Sequence, residues 1–164
     1  MRHRRGFTVL ELVVAVAILA VIAGLAVTAY TRLIERQRLS TATRRVAGVL
    51  RQLRSLAVSG GRHPSLGMSE IRSAGIRLES PTRVVMFVDL DEDAGNGNDA
   101  EIGAVDLTEI DRQGLLEVAA PAGGPRFTFD REGAVNAGRI EVTDRRSGMT
   151  RAIELTAAGQ VAVE

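Results

Sequence analysis

The residue whose type and position most demand a chemical explanation is Glu11, a carboxylate in Leu10-Glu11-Leu12 at the head of an apolar stretch that runs without charge to Val27. An ionised side chain inside a membrane costs roughly 2.5–3.5 kcal/mol even on lenient insertion scales, so such an acid either snorkels to the interface or meets a partner. A second concentration of oxygen donors lies between Asp89 and Glu101, where six carboxylates and two amides share thirteen residues with Gly95 and Gly97. Hard cations want several oxygens converging from a tight turn, which makes Asp89, Asp91, Asp93 and Glu101 candidate calcium ligands. The spacing departs from an EF-hand: Ala94 and Ala100 stand where the sixth glycine and the twelfth acid belong, and Gly95 and Glu101 come one residue later. The leading reading is therefore a solvated Asx/Gly turn between strands, with calcium as the alternative and no other cofactor expected.

Much other chemistry is closed to this chain. All 21 basic residues are arginine, which removes the Walker A lysine and the Schiff-base lysine, and with no cysteine there is no thiolate nucleophile, zinc-thiolate site or disulfide framework. Past residue 6 the one histidine is His63, in a Gly/Pro turn, and no Gly-x-Ser-x-Gly, His-Glu-x-x-His or phosphate loop occurs. Catalysis is not expected, and an exported hydrolase is the weakest candidate. A net charge of +1 argues against a strongly basic nucleic-acid binder.

The element that must position Glu11 is a helix. From Phe7 to Tyr30 it would span about 36 Å at ~1.5 Å per residue, against a hydrocarbon core of about 30 Å, so it crosses a bilayer with some tilt. Arg2, Arg4 and Arg5 precede it, and the positive-inside rule keeps that end cytoplasmic and puts the body outside. A secretory signal peptide cleaved after Ala29 in Val27-Thr28-Ala29, releasing a soluble exported β-domain, is the competing reading.

Beyond Tyr30 charges appear, and Leu39, Ala42, Val46, Val49, Leu50, Leu53, Leu56 and Ala57 recur every three or four residues as one apolar stripe. Gly60-Gly61 and Pro64 end the run, so one helix is expected over 7–59, its second half docked on a soluble body. From residue 71 the pattern turns to short β-type runs: 71–79, 83–90, 102–110, 115–119, 126–130, 139–144, 149–156 and 160–163. The last three form a meander that turns at Arg145-Arg146-Ser147-Gly148 and reopens at Gly159. The fold class is α+β, a long N-terminal helix packed on antiparallel sheet, with aromatics at only 3% so that the core must be aliphatic.

Gly6-Phe7-Thr8-x-x-Glu11-Leu12, preceded by a short basic leader and followed by an apolar helix, resembles the N-terminus of type IV prepilins and type II secretion pseudopilins. The resemblance implies cleavage by a prepilin peptidase between Gly6 and Phe7 and N-methylation of Phe7. It divides the chain into a leader (1–6), a transmembrane segment (7–30), an amphipathic segment (31–59) and a periplasmic β-rich domain (60–164). It also implies that Glu11 neutralises the Phe7 amine of a neighbouring subunit, since opposite charges attract more strongly in a poor solvent than in water. Implied partners are other pseudopilins or pilins and an inner-membrane assembly platform. Thr28 stands where many major pilins carry a proline, so the helix is expected to continue through it.

The body adds to this. Phe127-Thr128-Phe129-Asp130-x-x-Gly133, Arg139-Ile140-Glu141-Val142, Gly159-x-Val161-x-Val163 and Met86-Phe87-Val88-Asp89 resemble the GspH/FimT branch of minor pseudopilins. The implied function is a minor pseudopilin of a type II secretion pseudopilus or a type IV pilus. Some members of that branch bind DNA through a Gly-Arg-x-Arg element, whose counterpart here reads Gly159-Gln160-Val161-Ala162, without either arginine. Arg139, Arg145, Arg146 and Arg151 would be the alternative basic patch for DNA uptake, interleaved with Glu141, Asp144 and Glu154 and lacking aromatic stacking partners.

Overall fold

The computed structural model describes residues 8–60, 71–90, 99–119, 126–133 and 138–164. Helix α1 runs from Val9 to Ser59 and passes Thr28 without a break. No proline falls within it, and Gly60 ends it at φ +57, its N–H reaching back to the Ala57 carbonyl at 3.2 Å. The chain divides into two compact units, Met1–Arg36 and Gln37–Glu164. In the first unit, Val9 to Val27 expose their large apolar side chains, Val9 by 79% and Leu25 by 69%, which suits a helix whose solvent is lipid.

The second unit holds the core. Its part of α1 buries Leu39, Ala42, Val46, Leu50, Leu53 and Ala57, the apolar stripe of the sequence, with Val49 and Leu56 partly covered. Ala47 and Thr43 are also inside, and the Thr43 hydroxyl is satisfied by the Leu39 carbonyl one turn back at 2.8 Å. Each buried Leu or Val contributes about 1.5–3 kcal/mol, so this stripe fixes the helix to the body.

Among the described residues eight strands follow: β1 (Ser73–Ser80), β2 (Arg83–Asp89), β3 (Ala100–Asp106), β4 (Leu116–Ala119), β5 (Arg126–Phe129), β6 (Gly138–Asp144), β7 (Thr150–Leu155) and β8 (Val161–Val163). They form two antiparallel sheets, ordered β3-β2-β1-β5 and β4-β6-β7-β8. Ile76 pairs with Met86 and with Phe127 in the first sheet, and Ile140 with Ile153 in the second. Alternate residues point inward: Ile140, Val142 and Asp144 of β6 are buried while the residues between them are not. Ile76, Val84, Val88, Phe127 and Phe129 of the first sheet and Val118, Ile140 and Ile153 of the second share one core cluster with the helix stripe.

The strand expected over 102–110 ends early. Asp106 Oδ1 accepts from the Thr108 N–H at 2.9 Å and the Thr108 hydroxyl at 2.6 Å, which winds Leu107–Glu109 into a 3-10 turn in place of further ladder. The turn is fastened to α1 by two ion pairs, Arg38 to Asp111 at 3.2 Å and Arg45 to Glu109 at 3.0 Å. Buried Asp111 also accepts from the Gln113 and Leu115 N–H groups, so its charge is held by three donors. The hairpin expected at 145–148 is present: Asp144 Oδ1 accepts from the Arg146 and Ser147 N–H groups and Gly148 takes φ +68.

Candidate functional site

The first turn of α1 is where the chain's chemistry concentrates. Thr8 precedes the helix, and its carbonyl accepts the Leu12 N–H at 3.2 Å, so Thr8 is the N-cap and Glu11 the third helical residue. Glu11 Oε2 accepts both the Thr8 N–H and the Thr8 hydroxyl at 2.9 Å, and the Thr8 Oγ1 accepts the Glu11 N–H at 3.2 Å. This is a reciprocal capping box, in which the Thr-x-x-Glu spacing satisfies two helix-end donors that lipid could not. The negative side chain also sits where the helix dipole is positive.

One carboxylate oxygen does all of this. Both Thr8 donors go to Oε2, and Oε1 has no hydrogen bond among the described residues. Glu11 is exposed on the helix surface, so Oε1 is open to a donor from outside the chain. The sequence reading treated Glu11 as a charge awaiting a partner and missed Thr8. The signal was available, since Ser/Thr followed three residues later by Glu ahead of an apolar run is a helix-start signature. Gly6 and Phe7, the expected cleavage and methylation positions, lie outside the described residues.

The candidate calcium residues fall apart into different settings. Asp91 and Asp93 lie outside the described residues, as does His63. Asp89 is buried at the end of β2, its carbonyl accepting the Arg72 N–H at 2.9 Å. Glu101, in β3, is exposed with its carboxylate 3.6 Å from Arg83. Asp99, beside it, is taken up by a bidentate pair with Arg126 at 2.7 and 2.8 Å, and the Arg126 guanidinium lies 4.1 Å over the Phe87 ring. Among the described residues no three His, Asp or Glu side chains converge as a metal site.

Of the four candidate DNA-patch arginines, Arg139 and Arg145 face carboxylates, while Arg146 and Arg151 have no ion pair among the described residues. Arg139 faces Glu141 at 3.1 Å and both Glu154 and Glu164 at 3.7 Å, and Arg145 faces Glu117 at 3.1 Å. A phosphate backbone would have to compete with these acids for the same guanidinium groups.

Comparison with known proteins bears on both ends of the chain. Residues 1–27 match the family model described as the prokaryotic N-terminal methylation motif, and residues 42–159 match that of type II transport protein GspH. Among solved structures, the type IV minor pilin FimU of Pseudomonas aeruginosa (strain PAO1) aligns with a TM-score of 0.58 at 18% identity, covering 79% of this chain and 90% of that one. The minor pseudopilin EpsH from the type 2 secretion system of Vibrio cholerae aligns with a TM-score of 0.57 at 13% identity, over 77% of this chain and 96% of that one. At these identities the likeness is one of fold. A search of curated proteins returns no match.

Proposed function

We propose, from the premise that this chain belongs to the GspH family of type II transport proteins and is a membrane-anchored structural subunit of a pseudopilus or pilus, that subunits are joined through the first turn of α1. The leader is removed between Gly6 and Phe7 by a prepilin peptidase, and the new Phe7 terminus is methylated. Glu11 then has two tasks. Oε2 closes the helix end through Thr8, and Oε1 accepts the cationic amine of Phe7 on an adjacent subunit. The observation that carries this reading is that, at the head of an exposed apolar helix, Glu11 Oε2 accepts two bonds from Thr8 while Oε1 has none among the described residues.

The same reading assigns the surroundings. The helix holds the subunit in the inner membrane as a single pass, with residues 1–6 cytoplasmic and the body from residue 60 periplasmic. Its partners are other pilin-like subunits and the assembly platform in that membrane, and the chain itself catalyses nothing. N-terminal sequencing with mass measurement of the mature protein tests the reading. Methyl-Phe7 as first residue is the expected result, whereas Tyr30 as first residue would make the chain a soluble exported β-domain and overturn it.

A further inference from the structure

The exposed flank of α1 and the turn before β8 enclose a groove of about 460 Å³ between Arg51, Arg54 and Ser55 on the helix and Gly159, Gln160 and Val161 on the turn. Two glycines make room for it. Gly159 has φ +71, and a Cβ there would collide with the Gly133 carbonyl oxygen and stand 2.8 Å from Arg54 Nε. Gly133, at φ +76, would bring a Cβ to 3.3 Å from the same nitrogen. The Arg54 guanidinium therefore lies in space that only glycine leaves open.

The acceptors these two arginines have among the described residues are uncharged. Arg51 Nη2 donates to the Val161 carbonyl at 3.2 Å and Arg54 Nη2 to the Ala158 carbonyl at 3.3 Å, long bonds to uncharged acceptors. Arg54 Nε is buried with no hydrogen-bond partner among the described residues. Among the described residues no carboxylate lies within ion-pair distance of either; Arg146 and Arg151 share that property but do not line the groove, whereas Arg38, Arg45, Arg83, Arg126, Arg139 and Arg145 all have an acidic partner. Among the described residues no acidic side chain lines the groove, and its other polar groups, the Ser55 hydroxyl and the Gln160 amide, can both donate. Two uncompensated planar forks one helical turn apart, with additional donors beside them, suit carboxylate oxygens.

We propose that this groove receives carboxylate side chains from an acidic segment of a neighbouring subunit. The proposal rests on the subunit reading above and deepens it by naming a second contact, remote from the Glu11 contact in sequence. A protein carboxylate is favoured over a nucleic acid because, among the described residues, no aromatic side chain lines the groove to stack a base. Arg51 and Arg54 guanidinium groups anchored at one end by backbone carbonyls are partly ordered before binding, which lowers the entropic cost of docking.

The test uses the full mature chain in detergent micelles and a fluorescein-labelled peptide of alternating glutamate and serine, followed by anisotropy at low salt. The expected result is binding that weakens about tenfold in Arg51→Gln/Arg54→Gln and is retained in Arg145→Gln/Arg146→Gln. Because Arg54 is packed against two glycines, Arg51→Gln alone is measured as well, and a loss of about threefold at unchanged melting temperature is expected. Absence of binding at millimolar peptide, or equal losses in both double variants, would overturn the proposal. An oligothymidine of equal charge that binds with the same dependence on Arg51 and Arg54 would overturn the carboxylate assignment. The mass of the same preparation reports whether Phe7 is the methylated terminus, so failure of the subunit reading is seen separately from failure of the groove.

Discussion

Glu11 serves the helix end and, in the proposed contact, the neighbouring amine, and these two tasks can be separated by substitution. Glu11→Gln keeps an oxygen able to accept the Thr8 N–H and hydroxyl, since glutamine also closes a capping box, but removes the charge. Thr8→Val does the reverse, deleting the hydroxyl that bonds the Glu11 carboxylate and N–H while leaving the charge in place. Losing a cap costs about 1 kcal/mol. Two unit charges 4 Å apart at an effective dielectric of 20 attract by about 4 kcal/mol, or about three decades in an association constant. Glu11→Gln is therefore expected to keep the first turn of α1 protected in hydrogen exchange yet to lose crosslinking into the fibre almost completely. Thr8→Val should fray that turn and lower assembly by about tenfold at most. Glu11→Val loses both features and should insert in the membrane without assembling. If Glu11→Gln crosslinks into fibres as the natural chain does, the carboxylate acts only as a cap and the charge-pairing argument fails.

The body offers further tests. Gly75 in β1 faces Thr128 of β5 so closely that a Cβ would collide with the Phe127 carbonyl and stand 2.8 Å from the Phe87 ring, so Gly75→Ala should cost about 1–3 kcal/mol in thermal unfolding. Gly103→Ala meets only the flexible end of Met86 and should cost less; the opposite order would refute the packing argument. Thr108, through its hydroxyl first and its N–H second, holds the Asp106 carboxyl below its usual pKa. That contribution is present above the unfolded value of about 3.9 and is lost as pH falls through the folded one, so Asp106→Asn should lower stability at neutral pH, leave it nearly unchanged at acid pH, and so flatten the acid limb of the stability curve. No described residue before Leu39 belongs to the core, so a chain beginning at Gln37 is expected to fold as a soluble body that melts cooperatively, which calorimetry would check. Millimolar calcium is expected to leave melting unchanged, because Asp99 and Glu101 already face Arg126 and Arg83; a rise that Asp91→Ala removes would establish a cation site in the 89–101 loop.

What the sequence made legible follows from which forces are local. The α1 stripe could be read because burial follows the 3.6-residue period, and Leu39 through Ala57 lie inside where that period puts them. The β6–β7–β8 meander could be read because alternation, a Gly148 turn and a Gly159 turn are all short-range signals. The stretch 102–110 misled because Val105-Asp106-Leu107-Thr108 alternates apolar and polar like a strand, while the deciding interaction is a side chain bonding its own backbone two residues on. Arg51 and Arg54 were unreadable as a site for the opposite reason. On the helical period they are ordinary exposed positions, and only the folded chain brings Ala158 to Val161 against them.

The same contrast explains why charge in this protein cannot be read from composition. A net charge of +1 conceals three kinds of arginine. Arg38 and Arg45 are structural, tying the 3-10 turn to the helix through Asp111 and Glu109. Arg139 and Arg145 are balanced by nearby acids of the second sheet and retain little field to attract a polyanion. Arg51 and Arg54 stand apart because, among the described residues, the groups they bond are uncharged carbonyls, and Gly133 and Gly159 leave room for the Arg54 side chain without supplying a counter-ion. A neutralising carboxylate placed at Gln160 would test that distinction directly. Gln160→Glu should stabilise the isolated body by a few tenths of a kcal/mol to about 1 kcal/mol, the range of exposed ion pairs, while abolishing peptide capture by the groove. If it stabilises the body and capture persists, Arg51 and Arg54 are not the groove's recognition element.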